Sequence, residues 1–336
     1  MKFGRGFLIV IVSVCLAAIT EPALTDALTS SPKIVKLSIP SAEKDFPIRN
    51  VWVMTPAVPE SEVAKLPVVY MLHGWPGSPS GLIVGVENAL TATFANGAAP
   101  FIAVFPDGNA LTHFDSEWAD SYDGRAKIET WLTTNVIQTV EAGNLRSRNN
   151  RAILGFSMGG YGAAIIGLHH PTLFGQVVTL AGYFAIDDLT GAFDPGPSTD
   201  TKHAYQNPAT FLKVANKERW FLGESPDDYT QLIRGQAAAW GAKLKSVKAS
   251  YSIEYAPGGH SYGFVGQEIP LVVQWLKWGV VKALNSPPSS PSPPSSPSPP
   301  SSPSPPSSPS SPSSPSSPSQ VATVTSSLSG TPTPLP

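Results

Sequence analysis

Cysteine is almost absent from this chain: its single thiol, Cys15, lies inside the first apolar run. Removal of that run leaves no cysteine, which excludes disulfide frameworks, thiol catalysis and cysteine-ligated metal sites. The triplet Val12-Ser13-Val14 before it is a poor signal for lipid attachment. Charge of one sign is scarce too. The formal net charge is −2 at pH 7 and the charged side chains are interspersed rather than blocked, so nothing points to nucleic acid as a partner. No charged residue follows Lys282, and the C-terminal end is therefore not a basic arm for polyanions.

Both ends stand apart from the middle. Lys2 and Arg5 precede an apolar run over 7–19, and small residues follow through Ala23 and Ala27. That order is the order of a secretory signal peptide, assigned to 1–27, and the run is short for a membrane span. An uncleaved N-terminal anchor is the alternative reading. Residues 286–319 are almost wholly serine and proline, so they hold no apolar surface to offset the entropy of ordering. The segment 285–336 is read as a disordered Pro/Ser-rich tail, either a spacer that associates with a cell wall or a plain tail. This places the protein outside the cell, secreted or wall-associated. Between the ends, 31–284 leaves roughly 250 residues, enough for one domain with a substantial core.

Within that domain apolar runs at 51–54, 67–72, 101–105, 152–154, 176–180, 219–222 and 250–255 read as strands. Helical spacing of Ile128, Trp131, Leu132, Val136 and Ile137 predicts a helix over 125–140; others are expected over 158–169, 229–243 and 269–284. Strands alternating with helices give an α/β fold with a mostly parallel central sheet and helices on both faces. In such sheets chemistry gathers at strand ends.

Gly155-Phe156-Ser157-Met158-Gly159 ends one of these strands and opens a helix. It fits G-x-S-x-G, the nucleophile elbow of alpha/beta hydrolases, in the strand-turn-helix setting the motif requires. A serine hydroxyl needs a base, and the base needs an acid that orients it. This fold supplies them in the order serine, acid, histidine. Of six histidines only His203 and His260 lie beyond His170, and His260 directly follows the last strand. His260 is the expected base. The acid is sought in GESPDDY after the strand at 219–222: Asp227 first, then Asp228, then Glu224, with the remaining carboxylates starting a helix. The developing oxyanion requires donors, expected from the backbone N–H groups of Met158 and of Trp75 in His73-Gly74-Trp75. Pro76 has no N–H to give. His73 is read as a loop support.

These pieces together resemble the esterase family of alpha/beta hydrolases that includes esterase D, the antigen 85 mycolyltransferases and the feruloyl and acetyl-xylan esterases. The matching segments are FPDG at 105–108, WADS at 118–121, IETWLTTNVI at 128–137, GFSMGGYGAA at 155–164, HPTLFGQVVTLAG at 170–182 and GGH at 258–260. The resemblance implies an alpha/beta-hydrolase fold with a small cap or none, an acyl-serine enzyme built on Ser157 and His260, and no metal or cofactor. It also implies that Trp118, Asp120 and Ser121 sit near the site, as substrate contacts or as a loop held by local hydrogen bonds. The GESPDDY region does not decide which carboxylate matches.

Three readings follow. One is a secreted serine esterase acting on an ester, polysaccharide- or lipid-linked or small. Another is an acyltransferase that passes the acyl group to a sugar or lipid hydroxyl. The last is a non-catalytic wall-binding protein on a hydrolase scaffold. The segment 183–217 carries Phe184, Phe193, Tyr205 and Phe211, which either line an acyl pocket or pack against the domain.

Overall fold

The structure, a computed structural model, describes residues 31–43, 46–110, 115–185 and 201–279, with no side-chain statement for 201–203. The expected signal peptide (1–27), the Pro/Ser-rich tail (285–336) and Phe193 lie outside the described residues.

Among the described residues eight strands form one sheet: β1 Lys33–Pro40, β2 Ile48–Thr55, β3 Val68–Leu72, β4 Ile102–Pro106, β5 Arg151–Phe156, β6 Gln176–Leu180, β7 Arg219–Glu224 and β8 Ser250–Tyr255. Their spatial order is β1-β2-β4-β3-β5-β6-β7-β8. The first two pair antiparallel, β2 joins β4 antiparallel, and every pair from β4 onward is parallel. The buried strands read as unbroken apolar runs; β3, β4 and β6 have no exposed position.

The connecting helices are α1 (Pro79–Ala95), α2 (128–140, with a π-helical turn over Leu132–Val136), α3 (Met158–His169), α4 (Gln236–Ser246) and α5 (Tyr262–Trp275). Crossovers between parallel strands are right-handed. The β3-α1-β4 step moves one way along the sheet, while β5-α3-β6 and β7-α4-β8 move the other way. Opposite directions with one hand place α1 on one face and α3 and α4 on the other, and α5 packs on α1. The direction changes between β3 and β5, so a crevice opens beyond their carboxyl ends. His73-Gly74-Trp75 leaves one of these strands and Ser157 the other.

Two helices differ from the sequence expectation. The helix expected over 229–243 starts only at Gln236, because Gly235 takes a left-handed conformation (φ 79°) and both oxygens of Glu224 are spent on the N–H groups of Gly235 and Ala237. The last helix runs over Tyr262–Trp275 rather than 269–284. Ser261 caps it by accepting from the Phe264 N–H, and burial of Phe264, Val265 and Ile269 outweighs the hydrogen bond lost at Pro270 inside it. The sequence reading also omitted β1, whose side chains are mostly exposed, and α1, whose apolar positions are interrupted by Gly81 and Gly85.

Buried ion pairs tie the loops to this frame. The Arg49 guanidinium is fully buried, binds both oxygens of Glu43 and donates to the carbonyls of Asp107 and Asn109. Arg151 binds both oxygens of Glu141, which also accepts from the Tyr70 hydroxyl. Every charge there has a partner, which is what keeps such burial tolerable.

Among the described residues two buried carboxyls have no such hydrogen-bonded partner. Glu218 and Glu268 have no hydrogen bond to either side-chain oxygen. Burial pushes Glu218 up to about 8, and burial with the nearby charge of Glu254 pushes Glu268 up to about 7, from an ordinary 4.5. The unfolded chain ionises these groups first as pH rises, so their contribution favours folding below about pH 4.5 and is lost as pH climbs through 7 and 8. Urea unfolding at pH 5 and pH 8 should therefore show a loss of stability at the higher pH. The Glu218→Gln/Glu268→Gln variant should lose measurably less over the same interval.

Candidate active site

The elbow is built on steric necessity. Ser157 has φ 56° and ψ −120°, a conformation that a side-chain-bearing residue adopts only when its surroundings enforce it. Here they do: the Ser157 N–H donates to the Leu180 carbonyl of β6, and its carbonyl accepts from Tyr161 in the first turn of α3. A Cβ on Gly155 would collide with the Gly159 carbonyl, and one on Gly159 would collide with the Leu72 carbonyl. The tight turn is therefore open to glycine alone at both flanks. It projects the serine from the strand end while leaving it only 8% exposed.

His260 stands against that serine. Its Nε2 is 2.8 Å from Ser157 Oγ and its Nδ1 is 2.7 Å from Asp228 Oδ2. An ionised carboxylate only accepts, so Nδ1 carries the proton and Nε2 is left to accept from the serine hydroxyl. Asp228 is fully buried, and its second oxygen accepts from the Thr230 N–H. The imidazole packs on Phe156, with ring centroids 4.8 Å apart, and Tyr229 stands on it at 6.0 Å with ring planes at 74°.

The acid beside the histidine is thus Asp228 and not Asp227, the sequence's first choice. The Asp228 N–H bonds the Ser225 carbonyl, closing a turn that sends 228 inward and leaves Asp227 exposed. Glu224, third in the sequence order, caps α4. The same turn holds the histidine loop, since Ser225 Oγ accepts from the Gly259 N–H. The sequence reading did not single out Ser225, Phe156 or Tyr229. None is a defining position of a motif, and their roles depend on how the folded loops bring them together.

The loop after β3 closes the other side. A Cβ on Gly74 would lie 3.0 Å from Ser157 Cβ, which brings the Gly74-Trp75 backbone alongside the nucleophile. Met158 opens α3, where first-turn N–H groups have no carbonyl inside the helix. His73 is fully buried and acts as a support: it bonds the Gly74 carbonyl through Nδ1 and accepts from the Gly108 N–H at Nε2. Tyr262, at the start of α5, packs on Phe156 and lies against the β3 loop, where a Cβ on Gly77 would meet its hydroxyl, and burial raises its phenol. Histidine loop and β3 loop are thereby joined.

Trp118, Asp120 and Ser121 each make contacts that hold their loop. The Trp118 indole is fully buried against His73, Gly108 and Gly162 and donates to the His73 carbonyl. Asp120 accepts from the backbone and hydroxyl of Thr130, and Ser121 bonds Asp123 and Ala126. The described aromatics of 183–217 also pack on the domain: Phe184 stacks on Trp240, and Tyr205 and Phe211 lie against His169.

Comparison with known proteins agrees with this architecture. A family model described as "Putative esterase" matches residues 48–262. No curated protein sequence matches. Among solved structures, a ferulic acid esterase is 22% identical with a TM-score of 0.59, covering 73% of this chain and 99% of its own. The fluorophosphonate-binding serine hydrolase FphF of Staphylococcus aureus is 18% identical with a TM-score of 0.59, covering 74% and 99%. MPT51 of Mycobacterium tuberculosis is 19% identical with a TM-score of 0.54, covering 73% and 97%. At these identities the structural likeness speaks for the fold. The family model spans more than half of the sequence, from β2 through the serine to the start of α5, and on that ground the chain belongs to the Putative esterase family and is a hydrolase of the alpha/beta-hydrolase fold.

Proposed function

We propose that this protein is a secreted serine esterase that hydrolyses carboxylic esters through an acyl-Ser157 intermediate. The observation that carries the reading is the continuous hydrogen-bonded line Ser157 Oγ, His260 Nε2, His260 Nδ1, Asp228 Oδ2 at the mouth of the sheet crevice. Secretion rests on the N-terminal pattern of Lys2, Arg5 and the apolar run 7–19.

The chemistry follows from the proton positions. Ser157 Oγ attacks the ester carbonyl carbon as its proton moves to His260 Nε2, and Asp228 stabilises the imidazolium through Nδ1. The carbonyl oxygen becomes an oxyanion, for which the N–H groups of Trp75 and Met158 are the proposed donors. Collapse breaks the bond to the alcohol oxygen, which leaves with the proton from Nε2. Water, deprotonated by the same nitrogen, then attacks the acyl carbon, and Ser157 departs with its proton restored. No step calls for a metal or cofactor. In an acyltransferase, a sugar or lipid hydroxyl would replace that water.

Intact mass after fluorophosphonate treatment should show one adduct, located by peptide mapping on Ser157 and missing from Ser157→Ala. An acyl-donor panel with and without added alcohols separates free acid from transferred ester. Substitution of the acid should be selective: Asp228→Asn is expected to lower kcat on the order of 10⁴-fold by favouring the wrong histidine tautomer. Asp227→Asn should remain within about threefold of the parent, because an exposed carboxylate outside the proton line contributes little. Loss of activity in Asp227→Asn with an active Asp228→Asn would reverse the assignment.

A further inference from the structure

Tyr229 is 78% exposed, yet it stands directly on the imidazole of His260. Single exposed aromatics are common and carry no message by themselves. Position gives this one its meaning. Around the His260 ring, Nδ1 is occupied by Asp228, Nε2 by Ser157 and one face by buried Phe156. Tyr229 adjoins the same ring but opens to solvent.

Nε2 is also the atom that returns a proton to the departing alcohol oxygen. The alcohol half of the ester must therefore lie beside the imidazole in the transition state, and its bulk extends outward on the open side. We propose that Tyr229 is a specificity-determining residue for the leaving alcohol, offering its ring to the C–H face of a neutral ring-bearing alcohol. This rests on the proposed esterase chemistry and extends it to the alcohol side of the site.

Local structure suits the role. Asp228 is fixed on one side of Tyr229 by its own buried bonds, and its Oδ1 accepts from the N–H of Thr230 on the other, so the backbone is clamped at both neighbours. A tyrosine has two side-chain torsions to immobilise, so contact area is gained at small entropic cost. The ring's hydroxyl remains available to a polar rim. Exposed Asp227 lies two residues back in the same turn, and a negative charge there disfavours an anionic alcohol, which is why the class is neutral. Sugar rings and aryl rings share the required C–H or π face.

The test uses three esters of primary alcohols with one acyl group: ethyl, benzyl and the 6-O-ester of methyl glucopyranoside. Their leaving oxygens are chemically similar, so differences report binding. Parent, Tyr229→Ala and Tyr229→Phe are first labelled with fluorophosphonate; a parent that takes no label would refute the esterase reading itself, whatever Tyr229 does. With labelling intact, Tyr229→Ala should lower the ratio of kcat/KM for a ring ester over the ethyl ester by about three- to tenfold, as an aromatic contact is worth. The change should lie mainly in KM, and Tyr229→Phe should restore most of the ratio. A fall confined to the glucoside assigns a sugar, and a fall confined to the benzyl ester assigns an aryl alcohol. An unchanged ratio for both ring esters would overturn the proposal. So would an equal loss of kcat on all three esters with a displaced pH profile, which would make Tyr229 a support for His260 instead.

Discussion

The site depends on one steric constraint, the close approach of α3 to the ends of β3 and β5. That approach leaves no room for a Cβ at Gly155 or Gly159 and holds Ser157 at φ 56°. The strain is tolerated because the turn is anchored from both sides, by the Leu180 carbonyl of β6 and by Tyr161 of α3. Relax the turn and the serine no longer meets His260. Chemistry and core packing are here the same contact seen from two directions.

From that point the remaining parts are arranged by loops that bond to one another. The Ser225–Asp228 turn receives the Gly259 N–H, so acid and histidine loops move together. Tyr262 reaches from the helix after the histidine to Gly77 in the loop after β3, and His73 with Trp118 supports that loop from beneath. The whole is mounted on a sheet whose crossover direction reverses between β3 and β5, which opens the crevice where these loops converge. Asp120 binds Thr130 of α2 and Ser121 binds within its own loop, so several residues of the motifs hold the loops around the site.

Exposure separates what the fold needs from what a substrate could meet. Phe156, Trp118 and Asp228 are buried and hold geometry, whereas Tyr229 is open to water beside the same imidazole. A buried ring is explained by the area it removes from water. An exposed ring beside the His260 imidazole has no such explanation in the core, and the proposed contact with the alcohol half of an ester supplies one.

Much of this was legible in the chain alone. Unbroken apolar runs marked the inner strands because strands covered on both faces must be apolar throughout, and G-x-S-x-G marked the elbow because only glycine fits there. Chain order selected His260. The first strand, β1, was not legible, since an edge strand with exposed side chains has no core pattern to show. Neither were the starts of α4 and α5, decided by Glu224 reaching to Gly235 and Ala237 and by the Ser261 cap. Most tellingly, Asp227 and Asp228 are adjacent and chemically identical, so no composition or spacing argument separates them. The phase of one turn does: it points successive side chains in different directions, and that phase is set by the Ser225–Asp228 hydrogen bond, a property of the folded backbone.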